Sequence, residues 1–128
     1  MFICTGNSAR SQMAEGLAKT LLKNKYEIHS AGLNPKGINP YAVKVMRELG
    51  IDISSQKSKE IEEKLLKQMD FVITLCDNAK ESCPVIPPNI PTLHWSFPDP
   101  SEFSGRESEI LQFFRKIRDE IRERIASL

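Results

Sequence analysis

The sequence predicts an α/β fold in which a parallel sheet is covered by helices on both faces. Three observations carry the expectation. Strand-like and helix-like segments alternate along the chain, the pattern of stacked β–α units. The run Phe71-Val72-Ile73-Thr74-Leu75 is too apolar to alternate inward and outward, as a central parallel strand should be. Near the end, Ile110, Phe114, Ile117, Ile121 and Ile125 recur at helical spacing, which gives a long helix one face to bury.

Taken in order, Met1 to Cys4 reads as a short strand that delivers Cys4 into a loop. Met13, Leu17 and Leu21, with Ala14 and Ala18, predict a helix from about Ser11 to Lys23. Tyr26 to Ala31 reads as a second strand, closed by Gly32 and the turn formers Pro35 and Gly37. Asn39-Pro40 has the form of an N-cap followed by proline at the first helical position. Val43, Met46 and Leu49 are the expected buried stripe of that helix, and Gly50 stops it. Ser58 is placed to cap a further helix through Leu65 and Leu66. After the 71–75 strand, four prolines between Pro84 and Pro91 make a rigid connector, and Thr92 to Trp95 is a fourth strand. The final helix is expected from Ser104 to Leu128, with its alternating Arg and Glu residues in solvent.

The chain's 128 residues predict one domain over residues 1–128, large enough for a core without metal or disulfide staples. A formal net charge of +1 argues against a nucleic-acid binder that relies on a strong positive field. No apolar run approaches a membrane span, and Met1-Phe2-Ile3 lacks a signal-peptide layout, so a cytoplasmic protein with no membrane partner is expected. Three cysteines in that compartment point to redox chemistry, catalysis or metal binding rather than a structural framework.

The segment Cys4-Thr5-Gly6-Asn7-Ser8-Ala9-Arg10-Ser11 carries the strongest chemical signal. A thiol and a guanidinium bracket small residues between a strand and a helix. Folded as a loop, the amides of Thr5, Gly6, Asn7, Ser8, Ala9 and Arg10 form a nest backed by a helix N-terminus, suited to a tetrahedral oxyanion. Arg10 adds a planar fork matched to two oxyanion oxygens. Cys4 sits at the foot of the anion as a nucleophile, and the same positive field favours its thiolate. Gly6 and Asn7 both tolerate the positive φ that such a loop needs.

Cys76 directly follows the 71–75 strand, which puts it on the sheet rim that carries Cys4, and Cys83 comes seven residues later. Zinc would want a C-x2-C pair or clustered histidines, whereas His29 and His94 are isolated. Two buried, inert thiols is a second reading, and a redox pair is the third. If residues 77–82 are helical, the two thiols lie about 10 Å apart at ~1.5 Å per residue. A disulfide needs Cα atoms within roughly 4.4–6.8 Å, so the segment would have to unwind to form one. Its residues Asp77, Asn78, Lys80 and Ser82 offer little apolar anchoring against unwinding.

The run from Cys4 to Gly16 resembles the opening of the thioredoxin-coupled arsenate reductases. So do Ser30-Ala31-Gly32, Thr74-Leu75-Cys76, Cys83-Pro84, Pro87-Pro88, His94-Trp95 and Asp99-Pro100, in the same order. The resemblance implies the low-molecular-weight protein tyrosine phosphatase fold, with a four-stranded parallel sheet in an αβα sandwich. It implies arsenate as substrate, a role in arsenic detoxification and thioredoxin as reductant; for this chain no bound cofactor or metal and a monomer are expected. It further implies a relay of catalytic residues. Cys4 attacks arsenate held by Arg10 and the loop, Ser11 steadies the thiolate, and Asp99 protonates the departing oxygen. Cys76 then attacks Cys4, releasing arsenite, and Cys83 attacks Cys76 to leave an exposed Cys76–Cys83 disulfide for thioredoxin.

Departures from relatives inform the reading. Ala9 stands where many have a further cysteine. Residues matching Asn7, Glu15 and Ser30, with an acid, bind potassium in some relatives; here Lys59 falls at the acid's position, so its ammonium is expected to replace the ion in supporting the loop. The phosphatases resembled usually carry proline after the loop serine and tyrosines beside Asp-Pro. This chain has Gln12 and Ser101-Glu102 instead, which favours the reductase with weak phosphatase side activity.

Overall fold

The computed structural model describes residues 1–77 and 85–128. Four short parallel strands form one sheet in the order β2-β1-β3-β4: β1 (Phe2–Cys4), β2 (Ser30–Gly32), β3 (Val72–Thr74) and β4 (Thr92–His94). The helices are α1 (Arg10–Leu21), α2 (Pro40–Arg47), α3 (Glu63–Lys67) and α4 (Glu107–Ala126), with a 3-10 turn at Pro100–Glu102. Strand parity sorts the core into two layers. Phe2, Cys4, Ile73 and Leu75 pack with α1, α2 and α4, while Ile3 and Val72 pack with Leu66 of α3 and Ile90. The result is the low-molecular-weight phosphatase-like α/β sandwich. No helix among the described residues is long and apolar enough to cross a membrane.

Several elements differ from expectation for physical reasons. The second strand is Ser30–Gly32 rather than 26–31, because only these residues face β1; Phe2 pairs with Ser30 and Cys4 with Gly32. Tyr26 is left exposed. Asn39 does cap α2, its Oδ1 accepting from the Tyr41 and Ala42 amides at 2.8 and 3.4 Å. However, Ala42, Val45 and Met46 are the buried positions, and Val43 and Leu49 are only half-buried. Ser58 caps nothing. Helix α3 begins at Glu63, and the Ser58 hydroxyl donates to the Gly6 carbonyl at 3.3 Å instead. Asp77 is in neither helix nor strand; residues 78–82 of the expected helix, their unwinding and Cys83 lie outside the described residues.

Helix α4 buries Phe114, Ile117, Ile121 and Ile125, with Ile110 half-buried at its start. One of its charges departs from the expected solvated face. Arg118 is buried, donating to the Val45 carbonyl and to Glu48 (both 2.8 Å) and to Asp119 (2.8 Å). Its position four residues after Phe114 and three before Ile121 puts it on the buried stripe.

Candidate active site

The loop from Thr5 to Ala9 leaves the carboxyl end of β1, where open parallel sheets place ligands. Its carbonyls are engaged on the outside. Asn34 donates its amide to the Thr5 carbonyl (2.9 Å), Lys36 to Gly6 (3.0 Å) and Asn39 to Ser8 (3.0 Å). Gln12 Nε2 donates to the Asn7 carbonyl at 3.1 Å. Fixing the carbonyls outward turns the intervening N–H groups toward the interior of the loop. Helix α1 starts immediately after, with no side-chain cap on its N-terminus and no acidic residue in its first turn. A helix end so arranged can receive an anion.

Backbone geometry makes the loop tight. Asn7 adopts φ 42°, in the left-handed region, whereas Gly6 stays outside it. Gly32 allows the loop to lie directly on β2: a Cβ there would meet Asn7 N at 2.7 Å and the Thr5 carbonyl at 2.8 Å.

Cys4 is a buried free thiol whose Sγ lies 2.9 Å from Ser11 Oγ. Asn7 Nδ2 donates to Ser11 Oγ at 2.7 Å and to Ser30 Oγ at 3.0 Å. Ser30 passes its own proton to Glu15 Oε1 at 2.5 Å. Glu15, though buried, is neutralised from the surface by Lys19 at 2.6 Å, and Lys59 Nζ stands 3.8 Å from its other flank. An unbroken chain of polar contacts thus joins two surface ammonium groups to the thiol.

On the opposite side, Arg10 is buried beneath the cleft floor. Its Nη1 donates to the Phe97 carbonyl at 3.0 Å and, more weakly, to that of Leu75 at 3.5 Å. Its Nη2 is 3.6 Å from Asp99 Oδ2. The other oxygen of Asp99 accepts from the Ser101 amide and hydroxyl, so the carboxylate is fixed at the head of the 3-10 turn. Cys4, Thr5, Gly6, Ser8, Ala9, Arg10, Asp77 and Asp99 line an open cleft of about 1050 Å³. Asn7 does not line it; its side chain is behind the loop. Cys76 lies at the same rim, because Ile3 pairs with Thr74 and the Leu75 amide donates to the Ile3 carbonyl at 2.8 Å. Cys76 is fully buried and disulfide-bonded.

A family profile, low molecular weight phosphotyrosine protein phosphatase, matches residues 1–128. The chain belongs to this family. Among its relatives, the arsenate reductase of Bacillus licheniformis is 52% identical over 124 residues, covering 97% of this chain and 89% of that protein. The crystal structure of an arsenate reductase from Archaeoglobus fulgidus superposes with a TM-score of 0.81 at 26% identity, covering 98% of this chain and 94% of the other. A thioredoxin-dependent arsenate reductase of Corynebacterium glutamicum gives a TM-score of 0.70 at 30% identity, over 98% of this chain and 59% of the other.

Within this family member, the fold brings Cys4, Arg10 and Asp99 to one cleft, and joins Ser11, Asn7, Glu15, Ser30 and Lys59 behind it. Two residues of this network were not expected from the sequence. Gln12 is fully buried, and Gln56 Nε2 donates to Gln12 Oε1 at 2.7 Å. A polar residue in the first turn of a helix that otherwise buries its start was the only signal for Gln12. No local feature marks Gln56.

Proposed function

We propose that this chain, acting as a single cytoplasmic domain, reduces arsenate to arsenite through a three-cysteine relay regenerated by thioredoxin. The observation that carries the reading is the Cys4 thiol held by Ser11 within a loop of inward-turned amides, with Cys76 at the same sheet rim. The close arsenate reductase relatives support the substrate, and the likeness to the thioredoxin-dependent enzyme supports the reductant.

Arsenate enters the cleft as a tetrahedral oxyanion held by the loop amides and Arg10. The Cys4 thiolate attacks arsenic while Asp99 gives a proton to the departing hydroxide, which leaves as water. The Cys76 thiolate then attacks Cys4 Sγ. The electron pair of the sulfur–arsenic bond passes to arsenic, and arsenite leaves a Cys4–Cys76 disulfide. Attack by Cys83 on Cys76 frees the Cys4 thiolate and forms a Cys76–Cys83 disulfide, which the thioredoxin dithiol reduces. Lys59, through Glu15 and Ser30, supports the loop without a metal ion. Phosphate monoesters share the shape and charge of arsenate at the loop, so weak phosphatase activity accompanies the main reaction.

The test is NADPH consumption by reduced protein with arsenate, thioredoxin and thioredoxin reductase. Multiple turnovers are expected. Cys83→Ser should stop after a single arsenite per protein and leave Cys4 joined to Cys76. Continued turnover by that variant would remove Cys83 from the relay, and aryl phosphate hydrolysis without arsenate reduction would favour a phosphatase.

A further inference from the structure

We propose that Gln12 is a positioning residue for the Cys4 thiolate, acting by locking the side-chain amide of Asn7 in one of its two orientations. The inference deepens the reading of Cys4 as the nucleophile and rests on it.

The amide of Asn7 carries an acceptor at one end and a donor at the other, and a half-turn would exchange them. Its Oδ1 receives two hydrogen bonds, from Gln12 Nε2 at 3.0 Å and from the Lys59 backbone amide at 2.9 Å. Its Nδ2 therefore faces Ser11 and Ser30. Since an amide nitrogen only donates, Ser11 Oγ must accept from Asn7. The Ser11 hydroxyl proton is thereby left for Cys4 Sγ, 2.9 Å away. A donated hydroxyl stabilises the thiolate over the thiol.

Gln12 could in principle turn over as well, but its surroundings forbid it. Besides Asn7 Oδ1, its Nε2 faces the carbonyls of Asn7 at 3.1 Å and Lys57 at 3.0 Å. Its Oε1 receives Gln56 Nε2 at 2.7 Å. Turned over, Gln12 would set an oxygen against three oxygens and a nitrogen against a nitrogen. Asn7, Ser11 and Gln12 are fully buried and Cys4 nearly so, leaving no solvent to replace a lost partner. The direction of the proton at Cys4 is consequently set by residues around 56–59, remote from the thiol in sequence. Gln12 touches neither substrate nor thiol; it acts through Asn7 and Ser11.

The experiment needs neither arsenate nor thioredoxin, so its outcome is independent of the reductase reading. In the 128-residue chain carrying Cys76→Ser and Cys83→Ser, Cys4 is the one cysteine left in the sequence. Its rate of alkylation by iodoacetamide is followed from acid to alkaline pH. Gln12→Met should displace the profile to higher pH, slowing alkylation several-fold at neutral pH with an unchanged plateau at alkaline pH. Leu17→Ala, which opens a cavity in the same helix away from the network, should lower the melting temperature and leave the profile in place. Should Gln12→Met fail to fold, Gln12→Glu keeps the shape and replaces the donor with an acceptor; it should displace the profile in the same direction. An unmoved profile in the folded Gln12 variants would overturn the proposal. So would an equal displacement by Leu17→Ala, which would reduce the role of Gln12 to general stability.

Discussion

The hydroxyl of Ser11 lies 2.9 Å from the Cys4 thiol. Ser11 is the first residue after Arg10 in the opening turn of α1, so the helix that follows the Thr5–Ala9 loop also carries the hydroxyl that meets the thiol. Under the proposed mechanism, Ser11→Ala removes a hydrogen bond to the attacking sulfur, about 1.5–3 kcal/mol for a charged acceptor. Arsenate turnover should fall roughly 10- to 100-fold while the melting temperature changes little. Steady-state kinetics with thermal unfolding checks both, and undiminished turnover would detach Ser11 from the chemistry.

Asp99→Asn keeps an oxygen for the Ser101 amide and removes the transferable proton. The rate of arsenite release in a single turnover should drop by about 10²–10⁴-fold. Arsenate should still bind, since Arg10 and the loop amides are unaltered and the substituted amide has the shape of the carboxyl it replaces. A variant with the parent rate would assign the proton to another group.

At Gly32 the expected effect is on the backbone. A methyl group would press against Asn7 N and the Thr5 carbonyl, neither of which can swing aside. Gly32→Ala should cost about 1–3 kcal/mol in denaturant unfolding and lower turnover by displacing the loop. Full stability and activity in this variant would show that β2 and the loop separate freely.

Lys59 stands 3.8 Å from Glu15 and also donates to the Lys57 carbonyl at 3.1 Å. With an ammonium in this place, activity should be the same in potassium chloride and sodium chloride at equal ionic strength. Several-fold activation by potassium would sink the assignment.

The α2–α4 contact gives a pH signature. Hydrogen bonds from Arg115 are the main cause holding the Glu48 carboxyl below its ordinary value, with burial opposing and Arg118 adding. A folded-state value that is depressed contributes stability above the ordinary carboxylate range, lost as pH falls through the folded value. Glu48→Gln should therefore lower the melting temperature by a few degrees at neutral pH, a small effect because Glu48 is partly in solvent. The gap to the parent should close in acid. A gap that persists there would mean that the substituted amide fails for reasons of packing.

The anion loop was legible because its chemistry is contiguous: Cys4, the small residues and Arg10 follow one another between a strand and a helix. Asp99 was legible through the resemblance, and α4 through its spaced Ile and Phe residues. The position of β2 was not, since Tyr26-Glu27-Ile28 looks as strand-like as Ser30–Gly32 and only pairing with β1 selects between them. Arg118 was misread for a similar reason. Its charge suggested solvent, and it is satisfied inside by the Val45 carbonyl and Glu48 from the α2 segment as well as by the adjacent Asp119.

By itself the sequence determined the parallel α/β fold, the loop that runs from Cys4 to Arg10 between a strand and a helix, and the placement of Cys76 on the same rim, all of which follow from local order along the chain. Tertiary structure decided which way the polar groups around Cys4 point. Asn7, Gln12, Ser30, Gln56 and Lys59 come from separate segments, and the direction of a hydrogen bond depends on what each partner meets at its other end. That information exists only when the segments are packed together.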